Sequence, residues 1–231
     1  MRHIISISPT TAASPPKPGK AEISFLEKNE VPLLLRAAKE TPMFTLVFMA
    51  LNTGMRRGEL LGLRWSDIDL DLSFLNVRQT LQFTRANGIE FKEPKTDSSK
   101  RKITLPSIAV EVLRTRKAAQ LRERLMLGLG KDETALVFTR EDQQPIAPYN
   151  ITKAFNRLVK KAGIQKITFH GLRHTHISHL LADGIDIKTV SERAGHSSAS
   201  ITLDVYSHVL EKTQELAAQT VDVAMRAALE D

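Results

Sequence analysis

His170 and Arg173, one helical turn apart in FHGLRHTHISHLL at 169–181, form a pairing suited to phosphate chemistry. A guanidinium grips phosphate oxygens in a rigid, often bidentate fork, and an imidazole beside it can move a proton near neutral pH. A helix beginning at this segment would turn both side chains the same way. His174, His176 and His179 crowd the same run and raise the question of a metal. The chain has no HExxH, and Asp183 and Asp186 form no ligand pattern with these histidines, so no metal site is read here. His174 is expected to pack against or orient the site, and His176 and His179 to be ordinary polar positions.

Three further segments carry candidate chemistry. In TGMRRGELLGLRW at 53–65, Arg56 follows the glycine that ends an apolar run, and Glu59 shares its helix face. Alone, the pair reads equally as a surface ion pair, with Arg57 and Arg64 solvated or touching a nucleic-acid backbone. In AGHSSASITLDVYSH at 194–208, His196 follows a glycine and Tyr206 lies about two turns into a helix starting near Ser198. A tyrosine there is, by itself, also an ordinary packed aromatic with a polar tip. Lys95, in EPKTDSSKRK, belongs to a turn-like basic stretch that is either a solvated loop or a hairpin closing over a phosphate. Asp67, Asp69 and Asp71 suggest a metal nuclease, but their alternation after Trp65 fits a helix exit and turn better.

The elements that position these residues follow from the hydropathy pattern. Residues 1–20, rich in Ser, Thr and Pro, read as a leader or linker. Helices are expected from about Phe25 to Ala38, over the buried run at 44–54, and briefly at 56–64. Residues 72–106 suggest a small antiparallel sheet, with Asn87-Gly88 as its hairpin signal and Pro106 as its end. Long helices follow at about 108–127 and 149–162, then several shorter ones across 170–227. The fold class is therefore mainly α with one small antiparallel sheet at an edge.

Bulk composition narrows the partners. A net charge of +7 and a pI near 9.7 favour a polyanion, either nucleic acid or an anionic membrane surface. No run is long and apolar enough to span a membrane. The chain contains 0 cysteines, which excludes disulfides and thiol nucleophiles and fits a cytoplasmic protein.

Taken in order, TGMRRGEL, PKT, HGLRH, AGH and the tyrosine of VYSH resemble the motifs of the tyrosine recombinases, the phage-type integrase family, over roughly residues 22–215. The resemblance implies that family's catalytic-domain fold over 21–215, followed by a C-terminal helical tail at 216–231 that docks on a neighbouring protomer or packs on its own domain. It implies Arg56 and Arg173 as phosphate-clamping arginines and Glu59 as the acidic residue supporting them. Lys95 becomes the acid for the leaving group, His170 and His196 the active-site histidines, with His170 the candidate to take the tyrosine's proton, and Tyr206 the nucleophile. The implied activity is site-specific cleavage and rejoining of double-stranded DNA through a 3′-phosphotyrosyl intermediate. No metal, ATP or other cofactor is implied, and assembly is to a tetramer on two duplexes. Two other readings stand beside it: a type IB topoisomerase-like relaxing enzyme, and a truncated, non-catalytic DNA-binding module. Family members usually carry an N-terminal helical domain gripping the other face of the DNA. Residues 1–20 are too few to supply one, so the expectation is a catalytic domain as a fragment, truncated product or minimal form.

Overall fold

The computed structural model describes residues 24–94 and 99–230. Helices α1 (Glu30–Ala38), α2 (Phe44–Thr53) and α3 (Arg57–Leu61) come first. Strands β1 (Ile68–Asp69), β2 (Phe74–Val77), β3 (Thr80–Thr84), β4 (Gly88–Lys92) and β5 (Arg101–Thr104) follow. The chain then returns to helix in α4 (Ser107–Met126), α5 (Pro148–Ala162), α6 (Gly171–Ala182), α7 (Ile187–Ala194) and α8 (Ala199–Glu230). The mainly helical class holds, while the proposed leader at 1–20 lies outside the described residues.

α2 is the hub. Leu46, Val47, Met49, Ala50 and Thr53 are all buried, because the run is apolar on nearly every face, and it packs against α1, α4 and α6. α5 shows the ordinary amphipathic pattern, burying Ile151, Phe155, Leu158 and Val159. Phe155 stacks edge-on against Phe169, just before α6, with ring centroids 5.3 Å apart. One continuous core runs from Leu26 to Leu172. A smaller one, made of Ile177, Leu181, Val190, Ala194 and Tyr206, joins α6, α7 and α8.

The strands depart from the single sheet expected. Among the described residues they form an antiparallel β1-β2-β5 sheet and a separate β3-β4 hairpin. The chain leaves β2 at Val77, and Gln79 Nε2 donates to the Gly62 carbonyl at 2.7 Å, drawing β3 onto α3 instead of alongside β2. Within the first sheet Leu75 pairs with Ile103 and Val77 with Arg101. Strand alternation therefore sends Arg101 inward, on the same face as buried Ile103.

WSDIDLD is a 3-10 turn (Trp65–Asp67) running into β1, a strand where only a turn was expected. Each aspartate has a local task. Asp67 accepts from the Arg64 amide, Asp69 from the Asp71 and Leu72 amides, and Asp71 pairs with Arg114 at 2.7 Å. Among the described residues, no three His, Asp or Glu side chains are placed to hold a metal ion. No helix among them is long and apolar enough to cross a membrane.

Candidate active site

Two helix ends and one strand build the cationic part of the site. α2 stops at Gly54, whose φ of 63° is left-handed, and α7 stops the same way at Gly195, with φ of 70°. The chain beyond Gly54 places Arg56 directly before α3. There Glu59 accepts from the Arg56 amide at 2.8 Å and from Arg56 Nη1 at 2.9 Å. The same carboxylate takes both terminal nitrogens of Arg101, at 2.9 and 3.2 Å. Burial pushes the Glu59 carboxyl upward, but the Arg101 hydrogen bonds and charge prevail and hold it below its ordinary range. Arg56 Nη2 reaches across to the Gly195 carbonyl at 3.0 Å, joining α3 to the end of α7.

Arg173, in the first turn of α6, is almost completely buried. Its Nη1 donates to the carbonyls of Gly54 and Ala194, at 2.8 and 2.7 Å. Its Nη2 is buried with no hydrogen-bond partner. Burial, followed by the charge of Arg56, lowers this guanidinium to about 9, so it stays protonated at neutral pH. His196 follows Gly195 and bonds Thr202 Oγ1 through Nδ1 at 2.8 Å. Burial and then Arg173 lower it to about 4. His170, exposed at the start of α6, is lowered by desolvation and then by Arg173 and Arg56.

Tyr206 sits where the α8 run breaks, with non-helical φ −119° and ψ 16°. Its ring is buried in the small core. Its hydroxyl lies 2.6 Å from His174 Nδ1, and His170 stacks edge-on against His174 at 4.8 Å. Burial raises the phenol above its ordinary 10.0.

Arg56, Glu59, Arg173 and His196 are thus linked through Gly54, Ala194 and Gly195, while His170, His174 and Tyr206 form a row alongside. Lys95 lies outside the described residues. Arg101 was missed in the sequence; the alternation of RKIT, which places it inward with Ile103, was the available signal. His176 and His179 are not ordinary polar positions. His176 Nδ1 bonds the Leu51 carbonyl at 2.7 Å and its Nε2 accepts from Arg193 at 3.1 Å, while His179 bonds the Leu26 carbonyl at 2.8 Å. Both lie in α6 against the core, where a bare polar atom is costly and backbone carbonyls at element ends need donors.

Burial and then Arg193 lower His176 to about 3, and burial and then His170 lower His174 to about 4. A depressed histidine is neutral in the folded chain but takes a proton in the unfolded one below its ordinary 6.5. Its contribution to stability is therefore complete above that pH and shrinks as pH falls toward the folded value. Thermal melts should show Tm falling steadily from pH 6.5 to about 5.5, above the range in which ordinary carboxylates titrate. A Tm unchanged over that interval would contradict the buried neutral histidines.

The Phage integrase family matches residues 24–213. The chain belongs to that family. Among its integrase-family relatives, the "Tyrosine recombinase XerC-like" protein of Caldanaerobacter subterraneus subsp. tengcongensis is 33% identical over 214 residues. That match covers 88% of this chain and 55% of the relative. The "Integrase" of Staphylococcus phage L54a is 35% identical over 165 residues, covering 69% of this chain and 46% of that protein. The chain thus spans about half the length of these curated relatives. Among solved integrase-family structures, the XerA recombinase superposes with a TM-score of 0.65 at 28% identity, covering 84% of this chain and 65% of that one. The Tn1549 transposon integrase in complex with circular intermediate DNA shares the fold, with a TM-score of 0.72 at 23% identity over 87% of this chain and 68% of that one.

Proposed function

We propose that this chain is the catalytic part of a site-specific DNA recombinase that breaks and rejoins strands through a 3′-phosphotyrosyl link at Tyr206. The observation that carries the reading is the charge balance of the site. Three guanidinia, Arg56, Arg101 and Arg173, converge, and Glu59 is the only carboxylate among the described residues bonded to any of them. The Arg56 side chain, 40% exposed, offers that surplus to the non-bridging oxygens of a phosphodiester, and the buried, unpartnered Nη2 of Arg173 joins it once the atoms covering it shift. Charge grows on those oxygens as the phosphorus is attacked, and prearranged donors stabilise it most. Arg56 and His196 stand at the same helix end and are assigned to the same task, with Glu59 fixing Arg56. Lys95 is assigned to protonate the departing 5′ oxygen.

The phosphotyrosine keeps the energy of the backbone linkage, so a 5′-hydroxyl from another strand reverses the step without ATP. Double-stranded DNA is the partner the charge favours, and the Tn1549 transposon integrase, solved in complex with circular intermediate DNA, supports it. Assembly to a tetramer on two duplexes is part of the proposal. The α8 tail supports it, because Val221, Met225 and Leu229 recur along one helix face and are all exposed. Integration, excision, transposition and chromosome-dimer resolution share this chemistry.

The test is covalent trapping on a nicked suicide substrate taken from the DNA ends of the element next to the gene. The intact chain should give an SDS-resistant adduct in EDTA, and Tyr206→Phe should give none. Folded protein that binds this DNA but gives no adduct would instead be a non-catalytic binding module.

A further inference from the structure

Tyr206 does not face the arginines unaccompanied: its hydroxyl is held at 2.6 Å by a histidine to which the family motifs gave no chemical task. Burial keeps the phenol protonated, and His174 is neutral at pH 7. A neutral imidazole has two tautomers, and the one with its proton on Nε2 leaves a lone pair on Nδ1 to accept the hydrogen of the phenol; that tautomer is the one a proton-accepting His174 requires. No hydrogen bond joins Tyr206 to His170, whose ring instead packs edge-on against His174.

We propose that His174 positions the Tyr206 hydroxyl and accepts its proton through Nδ1 as the phenol oxygen attacks the scissile phosphorus. The inference rests on the phosphotyrosyl reading above. In the step, the Oη–H bond breaks, its electron pair forms the Oη–P bond, and the P–O5′ bond breaks. The proton passes to His174, while the leaving 5′ oxygen takes one from the acid assigned to it, Lys95. Rejoining returns both protons along the same routes.

The groups facing His174 show when it becomes a competent base. On its own helix these are His170 and Arg173; from α8 comes Tyr206, and from the end of α7 comes His196. In the free protein, burial and the neighbouring cationic charge hold the imidazole at about 4, a weak base. A phosphodiester anion seated on Arg173 and Arg56 offsets that positive charge, so the proton affinity of His174 rises only when substrate is present. An enzyme arranged this way activates its nucleophile on bound DNA and leaves it protonated otherwise.

His174→Asn tests this directly. The Asn amide can sit near the position of Nδ1 and still hold the phenol, but it cannot take a proton at neutral pH. Single-turnover adduct formation on the suicide substrate should fall about 10²–10⁴-fold, the usual worth of a positioned base. DNA affinity and Tm should remain close to those of the intact chain. The residual rate should climb with pH where the intact chain has levelled off, because solvent hydroxide must then remove the proton. His174→Asn cleaving as fast as the intact chain, or faster, would show that His174 merely holds the phenol and would overturn the proposal. A readout without DNA is imidazole ¹⁵N NMR. Nδ1 of His174 should be the unprotonated nitrogen and should shift in Tyr206→Phe, whereas a proton fixed on Nδ1 would overturn the proposal whatever the cleavage result. An intact chain that forms no adduct while Nδ1 is the acceptor would sink the phosphotyrosyl reading, and the base role with it.

Discussion

Arg173→Lys is expected to slow covalent adduct formation by about 10²–10³-fold, the loss seen when one prearranged donor to developing negative charge is removed. Binding of DNA should change far less. The reason lies in how the guanidinium is divided. Nη1 is committed to the Gly54 and Ala194 carbonyls, and Nη2 is left over. A lysine ammonium is a single nitrogen on a flexible stem. It can satisfy the two carbonyls or reach a phosphate, and it cannot hold both in a fixed geometry. Single-turnover rates with filter binding on the same substrate separate the two effects. A lysine variant that cleaves within a few-fold of the intact chain would show that Arg173 serves structure alone.

The second large effect concerns stability as well as rate. In Glu59→Gln, the Arg101 guanidinium, with only 6% of its side chain exposed, loses its counter-charge. Breaking a buried pair by neutralising one partner costs about 3–5 kcal/mol. At roughly 2–4 °C per kcal/mol for a domain of this size, Tm should fall by about 10 °C. Arg56 also loses the carboxylate that fixes it, so cleavage should weaken at temperatures where the variant is still folded. The acid limb of stability should change too. Glu59 titrates below its ordinary value in the folded chain, so it adds stability above that value, and this is lost as pH falls through the folded one. Glutamine removes that limb, and melts of the two proteins should converge as pH drops below 4.5. Equal Tm values at pH 7 would mean that the Arg101–Glu59 pair contributes nothing.

How much of this could be read from the chain depended on whether a signal was local. The α2 run, the Asn87-Gly88 hairpin and the amphipathic α5 each carry their period within one segment, so hydropathy and turn chemistry suffice. The association of Arg56 with Glu59 was local as well. Arg101 was not, because its partner is 42 residues away and becomes visible only once the β2–β5 register is known. The division into two sheets has a similar origin, since Gln79 takes its partner from a turn 17 residues earlier. His176 and His179 looked like polar positions because the carbonyls they serve, Leu51 and Leu26, lie more than a hundred residues upstream. The pairing of His174 with Tyr206 spans 32 residues and depends on the break in α8, which no local pattern announces.

The carbonyls that steady Arg56 and Arg173 belong to Gly54, Ala194 and Gly195, and so to the backbone. No point mutation can delete a main-chain oxygen, which makes these three contacts immune to the commonest kind of genetic damage. The vulnerability passes instead to shape. A Cβ at Gly54 would lie 2.6 Å from His176 Cδ2, and one at Gly195 would lie 2.7 Å from Arg101 Nη1. Alanine at either place would leave every charged side chain present while tilting the oxygens that aim them. Inherited variation in such a protein can silence it at residues that carry no chemistry of their own.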